Sequence, residues 1–433
     1  MGTVKNAAAG TGSYTLTSTK HSTLLFVACF VVYAASYVGR TNYSAALAAI
    51  VSEGLFTKPQ MGIVGSVFFF CYGCFQIVWG FMGDRVSPFK MISAGVFAAS
   101  LCNLVMPFCT SIGAMAVVWG LNGVSNSILW SPVLRVLANV LCENMRAKAC
   151  LNISASLPVG TVLSYLLSTV IIKYSGWKPV FWAASAVLMG ALVFFLITIK
   201  IIRPQLTYSQ APAAVLKTSG GKGIKLMPLF VSSGLLIAIV PTLLHGMLKE
   251  GVTAWVPTML TETYTLSASF SVLLSIFLPI ANVCGAYIVS PVYKKLMRKN
   301  ELSTAAVCMA AAAVPLCMLM FMAKLAPVVS VMLLALCTMT MHAFNYMLIT
   351  LVPVRFAKYG KTATLTGILN SSAYAGCALS TYGFGLIAER LGWQVTVVVW
   401  LVIVAVAGII CLALSKRWGG FCTNMEEGEN ERI

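Results

Sequence analysis

The 433-residue chain is 59% hydrophobic and carries only 9% Asp, Glu, Lys and Arg, against roughly 25% in a soluble domain. Its formal net charge is +18, but the bases are spread thinly between long apolar runs, a pattern that marks membrane topology rather than a nucleic-acid surface. Composition therefore excludes a soluble enzyme, a nucleic-acid binder and a disordered chain, and leaves an all-α polytopic membrane protein.

A span needs about 20 mostly apolar residues to cross a ~30 Å hydrocarbon core. Residues 1–21 are polar and predict a cytoplasmic N-terminus; the apolar run behind them is too long for a cleavable signal peptide. Spans are expected at 22–52, interrupted only by Arg40, and at 59–83. Residues 91–134 hold two, with Pro107 to Gly113 as the turn between them, and 149–172 and 179–199 complete six. A linker at 200–225, rich in Pro, Gly, Ser and Lys, follows. Beyond it come 226–248 (running on past Lys249), 263–293, 302–323, 325–354, 362–388 and 391–415, and a tail at 417–433. The expectation is twelve transmembrane helices in two six-helix bundles, 22–199 and 226–416.

With the N-terminus inside, the inner segments hold 21 Lys and Arg, whereas the outer loops hold 5, namely Lys58, Lys173, Lys178, Lys324 and Arg390. That asymmetry sets both termini in the cytoplasm. Nearly all of the 14 cysteines lie in or beside spans, so they read as small apolar residues rather than a disulfide framework.

The two halves repeat. Ser156-Leu-Pro-Val-Gly160 matches Ser372-Ala-Tyr-Ala-Gly376 at an offset of 216, and at that offset Gly176-Trp177 meets Gly392-Trp393 and Lys173 meets Glu389. Two parallel repeats around a central site are an architecture of secondary transporters.

An ionisable residue in mid-bilayer costs at least ~2.5–3.5 kcal/mol and is a functional candidate. Arg40 and Lys249 each lie roughly 17–18 Å from the outer end of the first helix of their half. Cations at matched depth on symmetry-related helices face each other across a central cavity, where Arg offers a planar fork to an anion and Lys a compact charge. Glu250 either pairs with a base on another helix or takes up a coupling proton. Arg135, near the inner end of the fourth helix, either serves an inner gate or snorkels. His245 and His342, also within spans, either donate a hydrogen bond or relay protons. Between the second and third helices, Gly80-Phe-Met-Gly-Asp84-Arg85-Val-Ser-Pro88-Phe-Lys90 can tie inner helix ends by salt bridges. Its counterpart, Gly285 to Lys295, keeps the Gly, the Pro and the bases without the acid, so the latch is expected mainly in the N-terminal half.

That loop resembles the helix 2–3 motif of the major facilitator superfamily. Within it, Tyr37-Val-Gly-Arg40-Thr-Asn42-Tyr43, Tyr72-Gly73, Asn126-Ser-Ile-Leu-Trp130-Ser-Pro132 and Lys249-Glu-Gly251-Val-Thr-Ala-Trp255-Val-Pro257 are similar to segments of the organophosphate:phosphate antiporters. The resemblance implies a monomeric rocker in a cell membrane, the bacterial inner membrane. It would exchange a small organic anion of sugar-phosphate or glycerol-phosphate type for inorganic phosphate. Arg40 and Lys249 would hold the phosphoryl group, and Tyr33, Tyr37, Tyr72 and Trp130 would line the cavity. The chain departs from the family where Lys249 replaces an Arg, Gln76 a Lys, and Leu157 or Pro158 a His. With Glu250 these changes lower the positive charge of the site, which suits a less negative substrate. Two other readings stay open: a proton-coupled symporter of a carboxylate such as a sugar acid, with Glu250 as its proton site, and a non-transporting membrane sensor. No nucleophile–base pair or metal set marks an enzyme, and neither cofactor nor nucleic acid is expected.

Overall fold

The computed structural model describes residues 13–82, 86–209, 233–297, 299–321, 326–356 and 362–430. In lipid a segment must satisfy its own backbone polar groups, so the apolar runs form helices. They are α1 (Thr19–Ser52), α2 (Lys58–Met82), α3 (Pro88–Phe108), α4 (Ile112–Asn139), α5 (Glu143–Ser175) and α6 (Lys178–Gln205). The second half adds α7 (Leu235–Tyr264), α8 (Ala268–Leu296), α9 (Glu301–Leu319) and α10 (Pro327–Arg355). A last helical run is broken by Gly392 at φ 81°, ψ 173° into α11 (362–391) and α12 (393–430), making twelve. Helix α8 starts later than expected, because residues 265–267 after Tyr264 are not helical, and residues 226–232, expected to open α7, lie outside the described residues. Large apolar side chains such as Phe70, Val117, Ile409 and Leu412 are more than 60% exposed on these helices, as surfaces that meet lipid must be.

The internal repeat is visible in the backbone. Gly176, between α5 and α6, has φ 74° and ψ −170°, nearly the conformation of Gly392, and a Cβ is excluded from that region. Each glycine is followed by a Trp whose indole N–H donates to a carboxylate at the end of the first helix of its half. Trp177 donates to Glu53 (3.1 Å) and Trp393 to Glu262 (2.7 Å). Glu53 and Glu262 are 209 positions apart, the spacing that also relates Arg40 to Lys249.

Among the described residues the two halves share a core toward one end. Tyr43–Ile50 of α1, Met61–Tyr72 of α2 and Met115 and Trp119 of α4 belong to one continuous apolar cluster with the C-terminal half. Leu25–Ala35 of α1, Met91–Ala99 of α3, Ile128–Leu141 of α4 and Leu188–Ile202 of α6 form a separate cluster within the N-terminal half. Among the described residues the bundles are thus fused toward the end opposite the start of α1, whereas the N-terminal half keeps a core of its own at the end that carries the first and last helix termini. At the fused end Lys58 bridges Glu262 (2.9 Å) and Glu389 (3.3 Å) of the other half. Along α2 and α11, Ser66 Oγ donates to the Ala378 carbonyl and accepts from the Tyr382 N–H (3.0 Å), and Asn370 donates to Gln76 (2.8 Å).

Two features depart from the sequence reading. Segments assigned to a plain N-terminus and linker carry two short strands, β1 (Ser13–Leu16) and β2 (Leu206–Ser209), paired antiparallel. The Leu16 N–H also donates to the Val140 carbonyl (2.7 Å), which pins β1 to the inner end of α4. Strands of four residues lack the length to register as alternation. Secondly, the C-terminal half does have its acid. Glu301, fully buried at the start of α9, accepts from Arg355 (2.8 Å), Tyr293 (2.7 Å) and Trp418 (2.8 Å), tying the inner ends of α8, α9, α10 and α12. The carboxylate comes from the next helix instead of the turn itself.

Candidate functional site

Arg40 sits midway along α1, 8% exposed. The backbone beside it is fixed by amides from two neighbouring helices: Asn103 of α3 and Asn122 of α4 both donate to the Gly39 carbonyl (2.9 and 3.0 Å). Asn42, two residues on, donates to Asn103 Oδ1 (2.8 Å). The guanidinium lies over three rings, Tyr37 (4.9 Å), Tyr72 (5.2 Å) and Phe68 (5.6 Å). Such faces hold a cation in place without neutralising it. Tyr374 of α11 packs against Tyr72 with ring centroids 4.3 Å apart, and Tyr37 continues through Tyr33 (5.7 Å) to Trp130 (5.0 Å). Among the described residues no carboxylate lies within 4 Å of Arg40.

Across from it, on α7, Lys249 Nζ lies 3.3 Å from Glu250 Oε1, each side chain 24% exposed. This corrects the expectation that Glu250 pairs with another helix: adjacent helical positions diverge by about 100°, but two long side chains reach around that angle. Arg40, Lys249 and Glu250 stand close enough to act on one another electrostatically. A cavity of about 30 Å³, lined by Arg40, Ser44, Glu250, Thr253 and Thr381 among others, lies between Arg40 and the fused end.

The site is therefore a buried cation cage between two pseudo-symmetric halves, and the fold around it is that of a known class of carriers. The profile described as Major Facilitator Superfamily matches residues 29–381. The chain belongs to the major facilitator superfamily. Among solved structures of the superfamily fold, a bacterial homologue of the lysosomal transporter Spinster superposes with a TM-score of 0.74 at 14% identity. That match covers 92% of this chain and 98% of the other. The nucleoside transporter NupG gives 0.72 at 12% identity over 90% and 99%. Curated relatives are matched over shorter stretches. A probable hexose phosphate transport protein of Chlamydia pneumoniae is 30% identical over 166 residues, 38% of this chain and 36% of that protein. The glycerol-3-phosphate transporter of Bacillus subtilis is 26% identical over 40% of each chain. The membrane sensor protein UhpC of Salmonella typhimurium is 25% identical over 38% of each.

Of the residues expected at the site, Arg40, Tyr33, Tyr37, Tyr72 and Trp130 form one connected group, with Lys249 and Glu250 facing it. His245 stands aside: its Nε2 donates to Asn345 Oδ1 (3.3 Å) and its ring stacks on Phe344 (4.9 Å). His342 is half-buried on α10. Of the loop motif, Gly80 ends in α2 and Lys90 is exposed at the start of α3, while Asp84 and Arg85 lie outside the described residues. Arg135 does not snorkel fully, since its Nη1 is buried without a hydrogen-bond partner. Sequence reading missed Phe68, Asn103, Asn122 and Tyr374. The repeat offset could have found Tyr374, which falls opposite Pro158 in the matched segments.

Proposed function

We propose that the protein is a secondary transporter that exchanges a phosphate ester of sugar-phosphate or glycerol-phosphate type for inorganic phosphate, working as a monomer by alternating access. Relatives named as hexose phosphate and glycerol-3-phosphate transporters support the substrate class. The observation that carries it is Arg40: a mid-membrane guanidinium caged by rings and free of any described carboxylate. A buried charge left in that state is costly, so its partner is the cargo. Lys249, at the equivalent place in the other half, is the second phosphoryl ligand. Closing the cavity without an anion strands Arg40, since Lys249 keeps Glu250, whereas closing it around an anion does not; the loaded carrier reorients more readily and transport becomes exchange.

The test is radiolabelled phosphate uptake into proteoliposomes preloaded with phosphate or left empty. Uptake is expected only into loaded vesicles, with Arg40→Ala lowering it by two orders of magnitude or so, about the cost of a buried charge-assisted pair. Equal uptake into empty vesicles would rule out obligatory exchange, and unchanged uptake by a folded Arg40→Ala protein would move the site elsewhere. The assay also separates a transporter from a sensor, the function printed for UhpC.

A further inference from the structure

The cavity beside Arg40 has walls unsuited to an anion. Three of its hydroxyls have their protons committed to backbone carbonyls one turn back: Thr41 to Tyr37 (2.7 Å), Thr253 to Lys249 (2.7 Å) and Thr381 to Cys377 (2.8 Å). Each therefore presents only lone pairs to the cavity. With the Glu250 carboxylate in the same lining, these hydroxyls give the chamber a set of acceptors, and apart from Arg40 and Ser44 the rest of its wall is largely apolar and aromatic. Its volume of about 30 Å³ suits one small group.

Charge balance points the same way. Arg40, Lys249 and Glu250 sum to +1. A doubly charged phosphate ester would draw Lys249 away from Glu250 and leave the carboxylate unpaired beside a second anion in a poorly solvated site. A substrate that brings its own ammonium replaces Lys249 as the partner of Glu250, and its net charge of −1 matches the site. Inorganic phosphate in its singly charged form meets the same balance.

We propose that Glu250 and the threonine hydroxyls around it form an ammonium subsite, so that the favoured cargo is a phosphate monoester that also carries an amine. This deepens, and rests on, the organophosphate reading above. The subsite makes Glu250 a specificity-determining residue: phosphoryl oxygens sit on Arg40 and Lys249, and the ammonium lies on their far side.

The test is ligand-induced thermal stabilisation of the purified protein with two matched pairs: glucosamine 6-phosphate against glucose 6-phosphate, and 2-aminoethyl phosphate against 2-hydroxyethyl phosphate. In at least one pair the amine is expected to act at about tenfold lower concentration, the worth of one charge-assisted hydrogen bond. Glu250→Gln should abolish that ratio and Glu250→Asp should retain it; the melting curves themselves report whether each variant is folded. Equal potency in both pairs, a preference that survives Glu250→Gln, or the same stabilisation by sodium chloride would overturn the subsite. Amine-dependent stabilisation without phosphate counterflow would overturn the exchange reading and leave the subsite standing. No stabilisation by any phosphate would overturn both.

Discussion

Gly376 on α11 has the carbonyl of Leu243 where a side chain would go, and Gly160 on α5 meets the carbonyl of Ala34 in the same way. These are equivalent contacts, the fifth helix of each half pressed backbone to backbone on the first. The Arg40 cage depends on them, because Gly160 also faces the Tyr37 side chain. A methyl group at either place forces two helices apart, and neither carbonyl can yield as a flexible side chain would. Gly376→Ala or Gly160→Ala is therefore expected to cost about 1–3 kcal/mol, the usual penalty of overpacking. Gly190 on α6 supplies the control: nothing lies within 4 Å of its added Cβ. There Ala gains helix propensity of up to about 1 kcal/mol. Melting temperatures in one detergent should fall for the first two and hold or rise for the third. A stable Gly376→Ala protein would mean that α7 and α11 do not approach as closely as described.

At the scale of the helix, α1 was the most legible element, since a charge inside an apolar run announces itself by its cost. The residues that make Arg40 useful were not so visible. Phe68 and Asn122 carry no charge, and only the rotation of α2 and α4 brings them to α1. Glu250 was visible but its partner was not, because backbone angle alone does not fix where long side chains meet. The latch at the other end of α2 was equally hidden. Lys58 reads as one outer-loop base among five, yet it joins the start of α2 to Glu262 of α7 and Glu389 of α11. Glu262 is at the same time held by Trp393, so the latch is braced within its own half. Opening this end requires Lys58 to leave both carboxylates. Lys58→Ala removes the bridge and leaves two like charges facing each other, so the fused end should loosen. In a background lacking the native cysteines, Ser44→Cys, which lines the cavity on this side, should then be labelled several-fold faster by a reagent added from the outer face. An unchanged rate would show that the apolar cluster, not the ion pair, holds the end shut.

For the molecule as a whole, span number and repeat were legible because hydrocarbon thickness and backbone hydrogen bonding leave little freedom. The spacing of Gly176 and Gly392 marks them as equivalent, and their shared backbone conformation is what requires glycine at both. The conformational state was not legible, because nothing in the residue pattern marks which helix faces meet across the two halves. The strands β1 and β2 were too short to stand out. The bases carry the expected orientation in the membrane, 21 in the segments expected on the inner side and 5 in the loops expected outside. Basic segments are retained on the cytoplasmic side during insertion, so the end of the bundles with the first and last helix termini should face the cytoplasm and the latched end the outside. Fusions of alkaline phosphatase, active only outside, test this directly. Activity is expected after Leu55, Ser175 and Thr265 and not after Ser87 or Arg203. The reverse pattern would turn the carrier over, with the Lys58 latch closing the cytoplasmic face and Arg40 open to the exterior.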